Sequence, residues 1–251
     1  RGARMTSNAP WLLIDQGNTA IKWRMADASG LSTEGGVVES VEALSACLKA
    51  LVWGAVGLSS VGSDETRSEL AHTLLAMSAA PVFTASSERA CLGLRNSYAE
   101  PEFMGVDRWL AMLAVRDGGE GAFCVIDAGT AVTIDIVTAE GQHEGGYIFP
   151  GPELMRRALI SDTGRIRADA GLAPDLAPGQ STIDCVNAGV WRAACAGVQS
   201  VMTDYPEHHA ILTGGGAAGL LALGVAADFR PDLVLQGLWV WLSRALDDQR
   251  A

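Results

Sequence analysis

The apolar positions along the chain change period repeatedly, and each change marks an element. Trp11 to Ile14 is a short apolar run that reads as a strand. Asp15-Gln16-Gly17-Asn18-Thr19 reads as a turn, and Ala20 to Met25 alternates into a second strand, so the start predicts a β-hairpin. Val41, Leu44, Leu48 and Leu51 share one helical face. Ala55 to Val61 predicts a strand, Asp64 opens a helix that turns Leu70, Leu74 and Leu75 inward, and Pro81 to Thr84 returns as a strand. A helix is expected from Val106 to Val115, with Trp109, Leu110, Met112 and Leu113 in the core.

Asp117-Gly118-Gly119-Glu120-Gly121 is the clearest linker. After it, Ala122 to Val137 again reads strand, turn, strand, around Asp127-Ala128-Gly129-Thr130. Gly145 to Gly151 ends a strand in a Gly/Pro turn, and helical patterns cover Leu154 to Leu159 and Thr182 to Met202. Between those helices, Ser161 to Gln180 has little periodicity and reads as a surface loop. Ala210 to Thr213 predicts a strand, Ala217 to Leu223 a helix, Val234-Leu235 a short strand and Leu238 to Leu246 a closing helix. Strands alternating with helices predict an α/β layered fold.

The pattern also repeats. Leu12-Leu13-Ile14-Asp15-Gln16-Gly17-Asn18-Thr19 resembles Cys124-Val125-Ile126-Asp127-Ala128-Gly129-Thr130: an apolar strand, Asp, any residue, Gly, then Thr, with a second strand directly after. Two such units predict two domains of one fold, at 5–116 and 122–251, facing each other across a cleft, with the last helix able to pack back on the first domain.

Bulk properties narrow the function. The chain has 251 residues, 49% hydrophobic and 19% charged, enough for a sizeable core. Its formal net charge of -11 argues against sequence-independent nucleic-acid binding, which needs cations to displace counterions. Five unclustered cysteines fit a reducing compartment better than a disulfide framework, and Cys47 and Cys124 read as small core residues. The histidines have no zinc-binding spacing. No apolar stretch is long enough for a membrane helix, and Arg1 to Pro10 has no signal-peptide core, so a cytoplasmic location is expected. Met5 reads as the natural start, with Arg1 to Arg4 foreign to it.

Candidate chemistry concentrates in the turns. Glycine in a tight turn exposes backbone N–H groups and admits a phosphate closely. Thr and Asn add hydrogen bonds, and an ionised Asp, acceptor only, suits a cation or its water shell. One such turn is also an ordinary hairpin turn; two copies at a domain's spacing point to a shared nucleotide. Leu212-Thr213-Gly214-Gly215-Gly216-Ala217-Ala218-Gly219 matches the dinucleotide-binding glycine pattern, but too little chain follows for that fold. An adenosine-contacting turn suits it better. No Walker-type sequence is present. Asp107, in the first turn of its helix, is kept ionised by the helix dipole and free to accept a proton, and Arg108 offers a planar fork for an anion. Alone, the pair also reads as an ordinary first-turn acid beside a solvated Arg.

Taken together and in order, these motifs resemble type III pantothenate kinases, of the superfamily that holds acetate kinase, sugar kinases, heat-shock chaperones and actin. The residues that carry the resemblance are Asp15-x-Gly17-Asn18-Thr19, Gly105-x-Asp107-Arg108, Asp127-x-Gly129-Thr130-Ala131, Gly145-Gly146-x-Ile148-x-Pro150-Gly151, Ser181-Thr182, Thr213-Gly214-Gly215 and Leu235-x-Gly237-Leu238. The resemblance covers roughly Trp11 to Leu246. The resemblance implies two ribonuclease H-like, actin-type ATPase domains, each a mixed sheet with flanking helices, and ATP-dependent phosphorylation of pantothenate, the first step towards coenzyme A. It implies that Asp15, Gln16, Gly17, Asn18, Thr19, Ala20, Ile21 and Lys22, with Thr130, hold ATP, and that Asp15 holds the magnesium shell. Asp107 would be the general base. Tyr98, Gly105, Val106, Asp107 and Arg108 would contact pantothenate, and Thr182 would reach it across a homodimer interface. Asp127 would bind potassium or ammonium. Tyr147, Phe149 and Gly216 depart from the family pattern, the first two by bulk and the third by lacking a polar side chain. A non-catalytic regulatory relative, or another kinase of the superfamily, is the competing reading; intact Asp15, Asp107 and Asp127 argue against lost catalysis.

Overall fold

Six apolar and polar residues after Pro10 form the first strand, β1 (Trp11–Gln16), and the hairpin it predicts is completed by β2 (Ile21–Asp27). The computed structural model describes residues 9–119, 121–162 and 171–249. Among these, 9–92, 98–119 and 232–249 form one compact unit, and 93–97, 121–162 and 171–231 a second. The expected Arg1–Arg4 remnant and residues 163–170 of the expected loop lie outside the described residues.

In the first unit the hairpin gains a strand that the sequence pattern does not announce, β3 (Gly30–Val38), half exposed and rich in Gly and Ser/Thr. Helix α1 (Val41–Leu48) starts on the side-chain oxygen of Ser40, which accepts from the Ala43 N–H. Then follow β4 (Ala55–Ser60), α2 (Asp64–Met77) and β5 (Val82–Thr84), giving a sheet of order β3-β2-β1-β4-β5. β2 and β3 run antiparallel, while β4 and β5 run parallel to β1. β1 and β4 are buried almost throughout, because helices cover the sheet. Two short strands follow, β6 (Ala90–Cys91) in this unit and β7 (Leu94–Arg95) in the segment that belongs to the second, and a 3-10 turn at Pro101–Phe103 leads into α3 (Val106–Asp117).

The second unit repeats this plan. β8 (Phe123–Ala128), β9 (Ala131–Val137) and β10 (His143–Pro150) are an antiparallel meander. Helices α4 (Pro152–Asp162) and α5 (Thr182–Asp204) lead to β11 (His209–Thr213), and α6 (Ala217–Ala222) leads to β12 (Asp228–Phe229). The sheet order is β10-β9-β8-β11-β12, with β11 parallel to β8 and β12 parallel to β11. Strand for strand, this is the order and sense of the first sheet. The short sequence repeat at Asp15 and Asp127 is therefore the visible part of a duplication of whole sheets.

Several expectations change. Val234 and Leu235 do not form a strand: they are the first turn of α7 (Leu233–Asp248), whose apolar face continues unbroken from Leu233 to Leu246. α7 belongs to the first unit, where Leu238 and Leu242 cover Gly57 of β4 and Gly237 lies against α3. A Cβ on Gly237 would fall 1.9 Å from the Leu110 carbonyl, so the two helices meet backbone to backbone. Leu75 points to solvent, because α2 buries only Leu70 and Leu74, one turn apart. Cys47 is exposed, while Leu44 and Leu48 carry the buried face of α1. Trp109, Leu110, Met112 and Leu113 are core residues, as their spacing predicts.

Candidate active site

β1 and β4 end together, with Asp15 opposite Ser59 and Gln16 opposite Ser60. Ser59 Oγ donates to Asp15 Oδ1 at 2.9 Å, and Ser60 Oγ to Gln16 Oε1 at 2.9 Å. All four side chains are buried. A buried carboxylate needs donors, and a hydroxyl on the next strand fixes its rotamer. The chain then turns: Gly17 N–H donates to the Ala20 carbonyl at 3.0 Å, and a Cβ at Gly17 would meet that carbonyl at 3.3 Å. Asn18 and Thr19 stand exposed at the tip, Ala20 and Lys22 are half-buried, and Ile21 is buried. Asp15 to Lys22 thus make one glycine-turned loop at the end of the central strand. Sequence reasoning missed Ser59 and Ser60; the signal was two successive hydroxyls closing an otherwise apolar strand.

Asp107 lies in the first turn of α3, and its Oδ1 accepts from the Arg108 N–H at 2.8 Å. Gly105, the N-cap, is glycine for a spatial reason. A Cβ there would sit 2.6 Å from Asp107 Oδ1. Val106 is buried behind it. Arg108 is not solvated: it is 7% exposed, donates from Nη1 to Tyr98 Oη at 3.0 Å, and holds its guanidinium carbon 5.8 Å from the Tyr98 ring centre. Arg89 Nη1 in turn donates to the Tyr98 carbonyl at 2.7 Å. The structure brings Tyr98, Gly105, Asp107 and Arg108 into one connected group in the first unit.

In the second unit three glycine turns close on Asp127, which is half-buried. Gly129 N–H donates to Ala131 at 2.9 Å, Gly151 N–H to Thr130 at 2.9 Å, and Gly216 N–H to Ala128 at 2.7 Å. A Cβ at Gly214 would stand 2.3 Å from Asp127 Oδ1 and 2.6 Å from the Ala128 carbonyl, and its φ of +92° already favours glycine. Gly214 therefore lies directly against the Asp127 carboxylate and the Ala128 carbonyl, with no room for a side chain. Gly216 now has a reason: a Cβ there would press on the Ala128 carbonyl at 3.1 Å. Phe149 also finds a place, its ring 3.1 Å from where a Cβ on Gly197 of α5 would lie. Tyr147 is exposed. Burial pushes the Cys124 thiol in β8 up to about 12, with the Glu144 charge adding to it.

Thr182 is the exposed first residue of α5, behind the N-cap Ser181. It borders an apolar groove of about 600 Å³ between α4 and α5, lined by Leu154, Met155, Leu159, Val186 and Ala193. Among the described residues no three His, Cys, Asp or Glu side chains cluster to hold a metal ion, and no helix is long and apolar enough to cross a membrane.

A family model described as type III pantothenate kinase matches residues 11–204. A type III pantothenate kinase of Marinobacter nauticus is 41% identical over 233 residues, 90% of this chain and 96% of the relative. That of Pseudomonas aeruginosa PAO1 is 38% identical over 239 residues, 90% of this chain and 96% of the relative. Among solved structures, the activator of the 2-hydroxyisocaproyl-CoA dehydratase from Clostridium difficile, with bound ADPNP, superposes with a TM-score of 0.54 at 10% identity, covering 96% of this chain and 98% of its own. At that identity the likeness is one of fold.

Proposed function

We infer that this chain, which belongs to the type III pantothenate kinase family, transfers the terminal phosphoryl group of ATP to the primary hydroxyl of pantothenate, giving 4′-phosphopantothenate on the route to coenzyme A. The observation that carries the assignment of roles is the duplication: the central strand of each sheet ends in Asp-x-Gly, while the separate acid Asp107 is held on its own helix.

Asp15 to Lys22 form the ATP-phosphate loop. Its turn offers backbone N–H groups, the Asn18 and Thr19 side chains and the Lys22 ammonium to phosphate oxygens. Asp15, oriented by Ser59, fits a magnesium water shell, because an ionised carboxylate offers only acceptors. Magnesium, when bound, neutralises phosphate charge. Asp107 takes the proton of the pantothenate hydroxyl as its oxygen bonds to phosphorus and the bond to the ADP oxygen breaks. The Arg108 N–H holds that carboxylate aimed. Tyr98 and Arg108, joined by their hydrogen bond, contact pantothenate alongside Gly105 and Val106.

Asp127, whose carboxylate lies beside the Ala128 carbonyl at the Gly214 turn, offers the hard oxygen donors that suit a potassium or ammonium ion. Thr182, beside the apolar groove of α4 and α5, supports a homodimer in which that groove is covered and Thr182 reaches the partner's substrate. Five free cysteines suit a reducing, cytoplasmic setting. A coupled ADP-release assay with pantothenate, MgATP and either potassium or sodium tests the whole reading. Turnover that needs potassium and collapses in Asp107→Asn is expected; turnover without pantothenate, or equal in Asp107→Asn, overturns it.

A further inference from the structure

Apart from the groups that would touch substrate, three consecutive side chains of the first unit act on one short stretch of backbone. Residues 87–89 lie between β5 and β6. Ser87 Oγ donates to the Met104 carbonyl at 2.9 Å. Glu88 accepts from Trp241 Nε1 at 3.0 Å and from Arg244 Nη1 at 3.2 Å, both on α7. Arg89 donates from Nη1 to the Tyr98 carbonyl at 2.7 Å and from Nη2 to the Ala99 carbonyl at 2.5 Å. All of these partners belong to the first unit, which the chain leaves after Leu92 and re-enters at Tyr98. Arg89 thus grips the first two carbonyls of the returning segment, Ser87 holds the last carbonyl before Gly105, and Glu88 fixes the gripping residues to α7.

A guanidinium suits this task. It presents its N–H groups in one plane at a fixed spacing, so that two neighbouring acceptors are met at once, and bonds from a charged donor are stronger than those from a neutral one. The segment so held, 98–104, carries Tyr98 at one end, whose hydroxyl accepts from Arg108, and at the other end runs into Gly105, the N-cap of α3. Ser87 and Arg89 both bond main-chain carbonyls, so they set where the backbone runs. We propose that Arg89 is a positioning residue for pantothenate: its fork fixes the backbone of Tyr98 and Ala99 and so presents the Tyr98 hydroxyl and Arg108 in the arrangement that receives substrate. The inference rests on the reading of Tyr98 and Arg108 as pantothenate contacts. Without the fork, the segment keeps freedom that pantothenate must remove on binding, whereas the Asp15 loop, between β1 and β2, is not part of it.

The test measures KM for pantothenate and for ATP, and peptide-level hydrogen exchange over residues 98–104, in the wild-type chain, Arg89→Ala, Arg89→Lys, Tyr98→Phe and the double variant of Arg89→Ala with Tyr98→Phe. Arg89 is exposed, so its replacement opens no cavity in the core. Arg89→Ala is expected to raise KM for pantothenate about fivefold, the size of about one net hydrogen bond, to leave KM for ATP within about twofold and to speed exchange over 98–104. Arg89→Lys, a point charge that meets one carbonyl, is expected to fall between Arg89→Ala and wild type. Because the effect passes through Tyr98, Arg89→Ala is expected to add less than about twofold in the Tyr98→Phe background. A pantothenate KM unchanged in Arg89→Ala, an equal rise in both KM values, or effects that multiply fully in the double variant overturns the proposal. Full recovery in Arg89→Lys overturns it too, since that would mark simple attraction of the pantothenate carboxylate. If the wild-type chain does not turn over pantothenate, the assigned function fails, and exchange alone judges the fork: faster in Arg89→Ala supports it, unchanged overturns it.

Discussion

Replacing Gly105 by Ala separates the placement of the proposed base from its chemistry. Gly105 has φ −54° and ψ 127°, which any residue adopts, so backbone strain is not at issue. The effect is steric and local: the new Cβ would lie 2.6 Å from Asp107 Oδ1. An ordinary carbon–oxygen separation is about 3.3 Å, so the carboxylate must recede by roughly 0.7 Å. Receding pulls Oδ1 from the Arg108 N–H that now holds it at 2.8 Å. Misplacement of a reacting group by about 1 Å costs on the order of a hundredfold, so kcat should fall between about tenfold and a hundredfold. That corresponds to about 1.4–2.7 kcal/mol of barrier. Ala is a poorer N-cap than Gly by about 1 kcal/mol, which for a chain of this size lowers Tm by about 2–4 °C. Steady-state ADP release at saturating pantothenate, with a melting curve beside it, reads both numbers. KM for ATP should stay where it is, since the Asp15 loop is built from other strands. A folded Gly105→Ala enzyme with kcat within about twofold of wild type would refute the assignment of Asp107 as a positioned base.

Three further outcomes follow from the same geometry. Gly214→Ala, which drives a Cβ into Asp127 Oδ1 and the Ala128 carbonyl, should abolish potassium activation while leaving the melting temperature of the first unit's core little changed; activation retained in a titration of the salt would contradict the assignment of Asp127 to the cation. Gly237→Ala must push α7 off the Leu110 carbonyl and should cost about 3 kcal/mol or more, seen as a fall in Tm of about 6–12 °C by calorimetry. With its thiol pushed up to about 12, Cys124 should resist iodoacetamide at pH 8, as should the other buried cysteines Cys91 and Cys195, whereas exposed Cys47 and Cys185 react, as peptide mass mapping would record. Because the folded value of Cys124 is raised, its contribution to stability is complete below the unfolded thiol's value near 9 and is lost as pH climbs through 12.

Much of this was legible in the sequence because the loops that matter are bounded by apolar strands. Asp15 and Asp127 end runs that can only be central strands, and glycine after each permits only a tight turn. α3 was equally clear, since Trp109, Leu110, Met112 and Leu113 leave no other face to bury. β3 was not, because half-exposed strands rich in Gly and Ser lack a clean alternation. α7 was cut short because Val234-Leu235 is apolar on both residues, which a strand and the buried start of a helix show alike. Ser59 and Ser60 escaped for a different reason. Their roles come from register across strands and from contacts between distant segments, and no local period encodes either.

The membership of α7 in the first unit bears on how the chain is made. That unit contains β1 to β5, yet the helix that covers Gly57 and lies on Leu110 is synthesised after the whole of the second unit. The second unit, apart from the short 93–97 segment, is contiguous in sequence and has its whole sheet before residue 231. Vectorial synthesis therefore completes the second unit first, and the sheet of the first unit waits with part of its core uncovered until α7 arrives.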